Sequence, residues 1–202
     1  MKRFDYRIAV GLVLILGAAL MFLDKADLLK GASDFFWAGV LAIGAVIFLV
    51  WFFSDLSKWW AAIPGFTLAG MSASSLMLNR LGWGGFAFLG GLGIGFFAVY
   101  ISRRDMWWAI IPGGVLLTLG INSALTEAYS IVDTGGVFFA GLGITFLLVA
   151  LLARMNWAFI PAAALLVIGF FLGTPFTGVL SFVWIGILIL GGAALIIGSL
   201  RK

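Results

Sequence analysis

No cysteine and no histidine occur among the 202 residues of this chain. Their absence removes disulfides, thiol nucleophiles, imidazole general bases, haem ligation by His and the usual zinc ligands. Charge is scarce as well, because Asp, Glu, Lys and Arg make up only 10% of the residues while 64% are hydrophobic. A water-soluble fold of this length must cover its surface with polar groups, and 12 basic plus 8 acidic side chains are too few to do so. At a mean hydropathy of +1.22 the chain has lipid, not water, as its main solvent. The surplus of +4 bears on topology, since no basic patch with interleaved aromatics points to nucleic acid. The sequence implies no cofactor and no metal.

Apolar runs broken by short polar clusters predict eight spans: Ile8–Leu23, Phe35–Phe53, Trp59–Leu78, Gly82–Tyr100, Met106–Ile121, Thr134–Leu152, Trp157–Leu172 and Val179–Ser199. Most reach the roughly 17–25 residues that cross hydrocarbon as a helix. The first, fifth and seventh are shorter, and call for local thinning or a turn of extension into their flanks. Barrel strands are shorter and alternate in polarity, whereas these runs are continuously apolar, so helices must satisfy the backbone. The basic start Met1-Lys2-Arg3 has the character of a signal peptide. Its apolar run ends at Asp24-Lys25-Ala26-Asp27 and not at a small-residue cleavage site, so a retained helix is expected. Counting alternate connections puts Lys2, Arg3, Arg7, Lys58, Arg103, Arg104, Arg154, Arg201 and Lys202 on one side, and Lys25, Lys30 and Arg80 on the other. This bias predicts both termini in the cytoplasm and a cell (inner) membrane location.

An internal repeat organises the chain. Trp59-Trp60-Ala61-Ala62-Ile63-Pro64, Trp107-Trp108-Ala109-Ile110-Ile111-Pro112 and Trp157-Ala158-Phe159-Ile160-Pro161 align, with prolines 48 and 49 residues apart. That period accommodates two spans and two turns. Phe88, Gly91, Gly93, Ile94 and Phe96 match Phe138, Gly141, Gly143, Ile144 and Phe146. The first copy lacks the proline, with Ala9 near its slot, but Gly17 follows Ala9 by eight residues as Gly120 follows Pro112. The expected architecture is an all-α polytopic bundle, a single membrane domain over residues 1–202. It divides into four parallel hairpins at about 5–56, 57–104, 105–154 and 155–202.

Each motif has a physical reading. A proline frees the carbonyl four residues before it, here that of Trp60, Trp108 and Trp157, and water can reach these at a membrane boundary. Trp59, Trp60, Trp107, Trp108 and Trp157 therefore read as interface anchors. The run Gly90-Gly91-Leu92-Gly93-Ile94-Gly95 lies inside an apolar span, so its glycines read as a helix-packing face and not as a phosphate loop. Gly91, Gly93 and Gly95 would allow close approach, as would Gly136 and Ala140 with Gly141 and Gly143 in the next repeat. Asp34, Ser57, Asp105, Asp133 and Asn156 stand just before spans and have the chemistry of N-caps, while Asp5, Asp24, Asp27 and Asp55 lie in charged flanks. No ionisable residue falls near the middle of a span, which weighs against a proton-coupled pump. The candidate polar site is Ser72 and Ser75 of the third span with Asn122 and Glu127, the last two placed in an outer loop after Ile121.

The Trp-Ala-x-Ile-Pro-Gly start, the mid-helix glycine and the Gly-x-Gly-Ile-x-Phe return helix resemble a group of bacterial membrane proteins of unknown function with LiaI/LiaF-like transmembrane hairpins. The resemblance is fullest from Trp59 onward. It implies a link to envelope-stress regulation, usually beside a soluble domain; this sequence instead ends at Arg201-Lys202, so any output would be carried by another protein. Together these readings predict a non-enzymatic scaffold, accessory subunit or regulatory partner. Its expected partners are the lipid bilayer and another membrane protein or a second copy of the chain. The alternative is a transporter or channel for a small neutral or lipidic substrate, with Ser72, Ser75, Asn122 and Glu127 at its outer mouth.

Overall fold

The computed structural model describes residues 6–26, 28–29, 31–78, 81–131, 134–173 and 189. Among these the chain is entirely helical, with seven α-helices and no strand. It forms two compact units, residues 1–131 and 132–202, a division that falls within the predicted 105–154 segment. The first holds α1 (Tyr6–Lys25), α2 (Ala32–Ser54), α3 (Ala62–Ala73), α4 (Gly84–Ser102) and α5 (Ile110–Tyr129). The second holds α6 (Gly135–Leu152) and α7 (Phe159–Leu172). Four helical stretches, Ala32–Ser54, Gly84–Ser102, Trp107–Tyr129 and Gly135–Leu152, are long and apolar enough to cross a membrane. The predicted span Val179–Ser199 lies outside the described residues except for Ile189.

The distribution of side chains is the reverse of that in a water-soluble bundle. Only 17% to 39% of each of those four windows is buried, so most of their large apolar groups face outward. Ile15, Phe22, Phe35, Ile43 and Phe53 are exposed, while the buried positions are mostly small, among them Ala38, Ala45, Ala61, Ala62, Ala109, Ala158 and Ala162. Helices with little side chain between them are held by van der Waals contact of their backbones, which is how association proceeds where lipid competes for every apolar surface.

Each Trp-Pro segment forms a tight corner. A 3-10 turn precedes the α-helix at all three: Leu56–Ala61 before α3, Trp107–Ala109 before α5 and Asn156–Ala158 before α7. Pro64, Pro112 and Pro161 each stand third in the helix that follows. First-turn N–H groups have no intrahelical acceptor, so a residue without one is tolerated there. The carbonyls expected to be freed are not all free, because the chain is not yet α-helical at those tryptophans. Trp108 O accepts from the Ile110 N–H and Trp157 O from the Phe159 N–H. The caps also differ from expectation. The 3-10 turn at Leu56 is capped by Asp55, whose carboxylate accepts from the Ser57 N–H at 3.0 Å and the Ser57 hydroxyl at 2.6 Å. Asp34 lies within the first turn of α2, Met106 and not Asp105 precedes the second 3-10 turn, and Asn156 lies inside the third.

The two helices flanking each corner make the same contacts. Phe48 on α2 meets Trp60, Phe96 on α4 meets Trp108, and Phe146 on α6 meets Trp157, all edge to face with ring centroids 6.1, 6.2 and 6.1 Å apart. A Cβ on Gly93 of α4 would lie 3.0 Å from Leu117 Cγ, and one on Gly143 of α6 would lie 2.7 Å from Leu166 Cγ. Gly65 lies against Leu49 as Gly113 lies against Phe97.

Candidate functional site

Within the first unit, α3, α4 and α5 run alternately up and down, so the last turn of α3, the first of α4 and the last of α5 share the end opposite the Trp-Pro corners. Two backbone features shape this end. The α-helix of α3 gives way to a π-helical turn over Ser74–Leu78, a wider winding that recurs at functional sites. Gly82, at φ 73°, turns the chain into α4 where a Cβ would lie 2.8 Å from the Ala128 backbone.

Glu127 is helical. Expected in a loop after Ile121, it lies inside α5, which continues to Tyr129 and stops where Ser130 takes the left-handed conformation, φ 55°. Nothing between residues 121 and 129 breaks a helix, and the Ser123 hydroxyl donates to Glu127 Oε1 at 2.6 Å across one turn. Opposite this pair α4 has Gly85, where any side chain would collide with Ser123 Oγ. The result is a cleft of about 380 Å³ lined by Met71, Ser74, Ser75, Gly84, Gly85, Phe88 and Glu127.

Of the four predicted polar residues, the cleft brings together Ser75 and Glu127. Ser75 also donates to its own helix at Met71 O, 3.0 Å away. Ser72 is buried on another face of α3 and donates to Ala38 O on α2 at 2.8 Å, a bond between helices. Asn122 lies off the line of Ser123 and Glu127 on α5, and both of its amide atoms are buried with no hydrogen-bond partner among the described residues. Ser74, which the sequence groups with Ser72 and Ser75 as a possible conduit lining, is on this cleft, whereas Ser123 and Gly85 are not marked as site residues by sequence; the i, i+4 spacing of Ser123 and Glu127 is the signal that identifies the pair. The hydroxyls of Thr67, Thr118 and Thr145 bond carbonyls of their own helices at 2.7, 2.8 and 2.8 Å.

Of the predicted packing glycines, Gly91, Gly93, Gly95 and Gly143 lie at helix crossings. Gly91 and Gly95 face α3, where a Cβ on Gly91 would come within 2.7 Å of Phe66 O and one on Gly95 within 3.2 Å of Ala62 O. Gly93 faces α5 and Gly143 faces α7, and the Gly141 carbonyl accepts from Thr145. Among the predicted anchors Trp60, Trp108 and Trp157 are exposed, while Trp59 and Trp107 are half-buried. Beside the corners of the first unit, Lys58 pairs with Asp55 at 3.9 Å and Arg103 with Asp105 at 3.6 Å, and the Arg104 guanidinium stacks 4.7 Å above the Tyr100 ring. An apolar groove of about 370 Å³ opens at this end between Phe52, Phe66, Phe97 and Ile101.

No protein-family model, curated protein or solved structure matches this chain. The site must be read from its own chemistry. Among the described residues no three His, Cys, Asp or Glu side chains gather as a metal site.

At the far end of α1, Asp24 accepts from the Gly31 N–H at 2.9 Å and from the Ser33 hydroxyl, closing the turn into α2. These two bonds, the Ser33 hydroxyl first, hold the Asp24 carboxyl below its ordinary value, and the Ser57 hydroxyl and N–H do the same for Asp55. Both carboxylates are explained by local turns and need no ligand.

Proposed function

We propose that this protein is a non-catalytic multi-pass component of a bacterial plasma-membrane complex: a scaffold, an accessory subunit or a regulatory partner whose neighbour is another membrane protein or a second copy of itself. The observation that carries this reading is the close backbone packing of α3, α4 and α5 in the first unit. Where α3 crosses α4, Gly70 and Gly91 meet backbone to backbone, and a Cβ on Gly91 would lie 2.9 Å from Gly70 Cα. Where α4 crosses α5, a Cβ on Gly93 would lie 2.9 Å from Gly113 O. Such crossings close the α3–α4 and α4–α5 contacts to a solute, whereas the outward face of α2, with Phe35, Ile43, Val46 and Phe53, offers a long apolar surface to lipid or another helix.

The same reading has about eight spans arranged as four hairpin repeats, with both termini cytoplasmic. Its support is the recurrent corner contacts and the charge at the corners, Lys58, Arg103 and Arg104 in the first unit and Arg154 in the second. The resemblance to LiaI/LiaF-like hairpins favours the regulatory form. Transport of a small neutral or lipidic substrate is the second reading, favoured by the Ser75–Glu127 cleft, but a path from that cleft along the α3–α4 contact would have to pass the Gly70–Gly91 crossing.

Extraction in mild detergent at native expression, followed by sizing and mass spectrometry, tests the proposal. A defined homo-oligomer or a co-purifying membrane protein is expected, and a monodisperse monomer without partner overturns it. Topology is read separately. The chain has no cysteine of its own, so Arg103→Cys and Glu127→Cys can each be labelled by an impermeant maleimide in sealed vesicles. Labelling from opposite faces is expected; labelling of both from one face ends the hairpin reading.

A further inference from the structure

The cleft between the ends of α3, α4 and α5 has two chemically distinct parts. Its rim has one carboxylate, Glu127, and the hydroxyl residues Ser74 and Ser75, while Met71 and Phe88 supply an apolar wall. Depth adds a constraint. Glu127 follows Trp108 by 19 residues, and at 1.5 Å per residue the two are separated by about 28 Å along the helix, close to the roughly 30 Å thickness of bilayer hydrocarbon. With the tryptophans in one headgroup layer, the carboxylate reaches the other. An anionic, hydroxyl-lined rim at headgroup depth above an apolar wall matches an amphiphile whose polar end is cationic.

We propose that this cleft binds a phospholipid bearing an ammonium headgroup, with the ammonium against the Glu127 carboxylate and the start of an acyl chain against Met71 and Phe88. Ser123 holds the carboxylate through its 2.6 Å hydrogen bond, so little order is lost on binding. Gly84 and Gly85 begin α4 without a side-chain cap and line the same cleft, so their first-turn N–H groups suit a headgroup phosphate. The absence of a side chain at Gly85 lets α4 approach the Ser123–Glu127 pair, and the π turn supplies Ser74 and Ser75 to the same rim. This inference does not rest on the scaffold reading, because a lipid can occupy the cleft whatever the protein's partners are.

The test is native mass spectrometry of the full chain in dodecyl maltoside with added phosphatidylethanolamine or phosphatidylglycerol of identical acyl chains. Retention of phosphatidylethanolamine about tenfold above phosphatidylglycerol is expected, equivalent to ~1.4 kcal/mol. Glu127→Gln, which keeps the size of the side chain, abolishes that preference. Ser74→Phe fills the cleft without altering the carboxylate and lowers retention by an independent route. Dissolved ethanolamine separates the two sources of an ammonium group. Failure of millimolar ethanolamine to displace the lipid supports a lipid site, whereas displacement shows a site for a free amine and overturns the assignment. Equal retention of the two lipids overturns it too, as does an undiminished preference in folded Glu127→Gln protein or undiminished retention in folded Ser74→Phe protein.

Discussion

Gly91→Ala adds one methyl group where α4 crosses α3, and three backbone atoms are in its way: Phe66 O at 2.7 Å, Gly70 Cα at 2.9 Å and Gly70 N at 3.2 Å. None belongs to a side chain that can rotate aside. Restoring ordinary contact, which begins at 3.4 Å, requires the two helices to separate locally by about 0.7 Å. Inserting a methyl into a packed contact costs about 1–3 kcal/mol, while alanine is intrinsically better than glycine in a helix by ~1 kcal/mol. The collision matches or outweighs the propensity gain, and a net loss of about 0–2 kcal/mol follows, toward the upper end because the obstructing atoms are backbone. Gly39→Ala is the matched control, because a Cβ there meets nothing within 4 Å and only the propensity gain remains. Reversible unfolding in mixed micelles, followed by far-ultraviolet circular dichroism, measures both variants under one protocol. Gly91→Ala is expected below the wild type, with Gly39→Ala level with it or above. A Gly91→Ala protein as stable as Gly39→Ala would refute the claim that α3 and α4 touch through their backbones.

Three further outcomes follow from particular contacts. Trp108→Leu and Phe96→Leu, combined in a double-mutant cycle, should show a coupling of about 0.5–1.5 kcal/mol, the value of an edge-to-face pair beyond its buried area; a coupling of zero would mean the rings only share a location. Ser72→Ala removes the hydrogen bond to Ala38 O, and about 0.6 kcal/mol is expected, since interhelical bonds in lipid average near that figure; the same unfolding assay reads it. Acidification loosens the turns at Asp24 and Asp55. Both carboxyls are held below 3.8, so their stabilising effect is complete above that pH and is lost as pH falls through the folded-state values. Amide exchange at Gly31 and Ser57, corrected for intrinsic rates, should quicken on acidification, and in Asp24→Asn the Gly31 amide should show no such dependence.

Much of the helical architecture was legible because apolar length is a direct consequence of solvent. The predicted starts Trp59 and Trp157 fall three and two residues before α3 and α7, within the 3-10 corners, because the proline spacing fixes roughly where those helices start. The winding itself was not legible: hydropathy is blind to whether a turn closes onto the third, fourth or fifth residue, so neither the 3-10 corners nor the π turn at Ser74–Leu78 had a sequence signature. The apolar run ends at Ile121 although α5 continues to Tyr129, for a related reason. Asn122, Ser123, Thr126 and Glu127 lower the hydropathy, but helix continuation depends on backbone bonds and on pairs such as Ser123 with Glu127. The cleft was the least legible part. Ser75 and Glu127 are 52 residues apart, and only the successive packing of α3, α4 and α5 brings them to one rim. Ser72, three positions from Ser75, serves α2 instead: it lies within α3 and bonds Ala38 O, whereas Ser75 lies in the π turn that lines the cleft.

The three Trp-Pro corners also bear on how such a chain is made. Each folds its second helix back onto the one just completed, so the contacts that secure the pair involve only segments already synthesised. Helices joined in this way need not await a distant partner while held in the translocon, and local pairing of this kind forms quickly. Assembly can then proceed in the order of translation, one corner after another, with each finished pair released sideways into the bilayer before the next emerges.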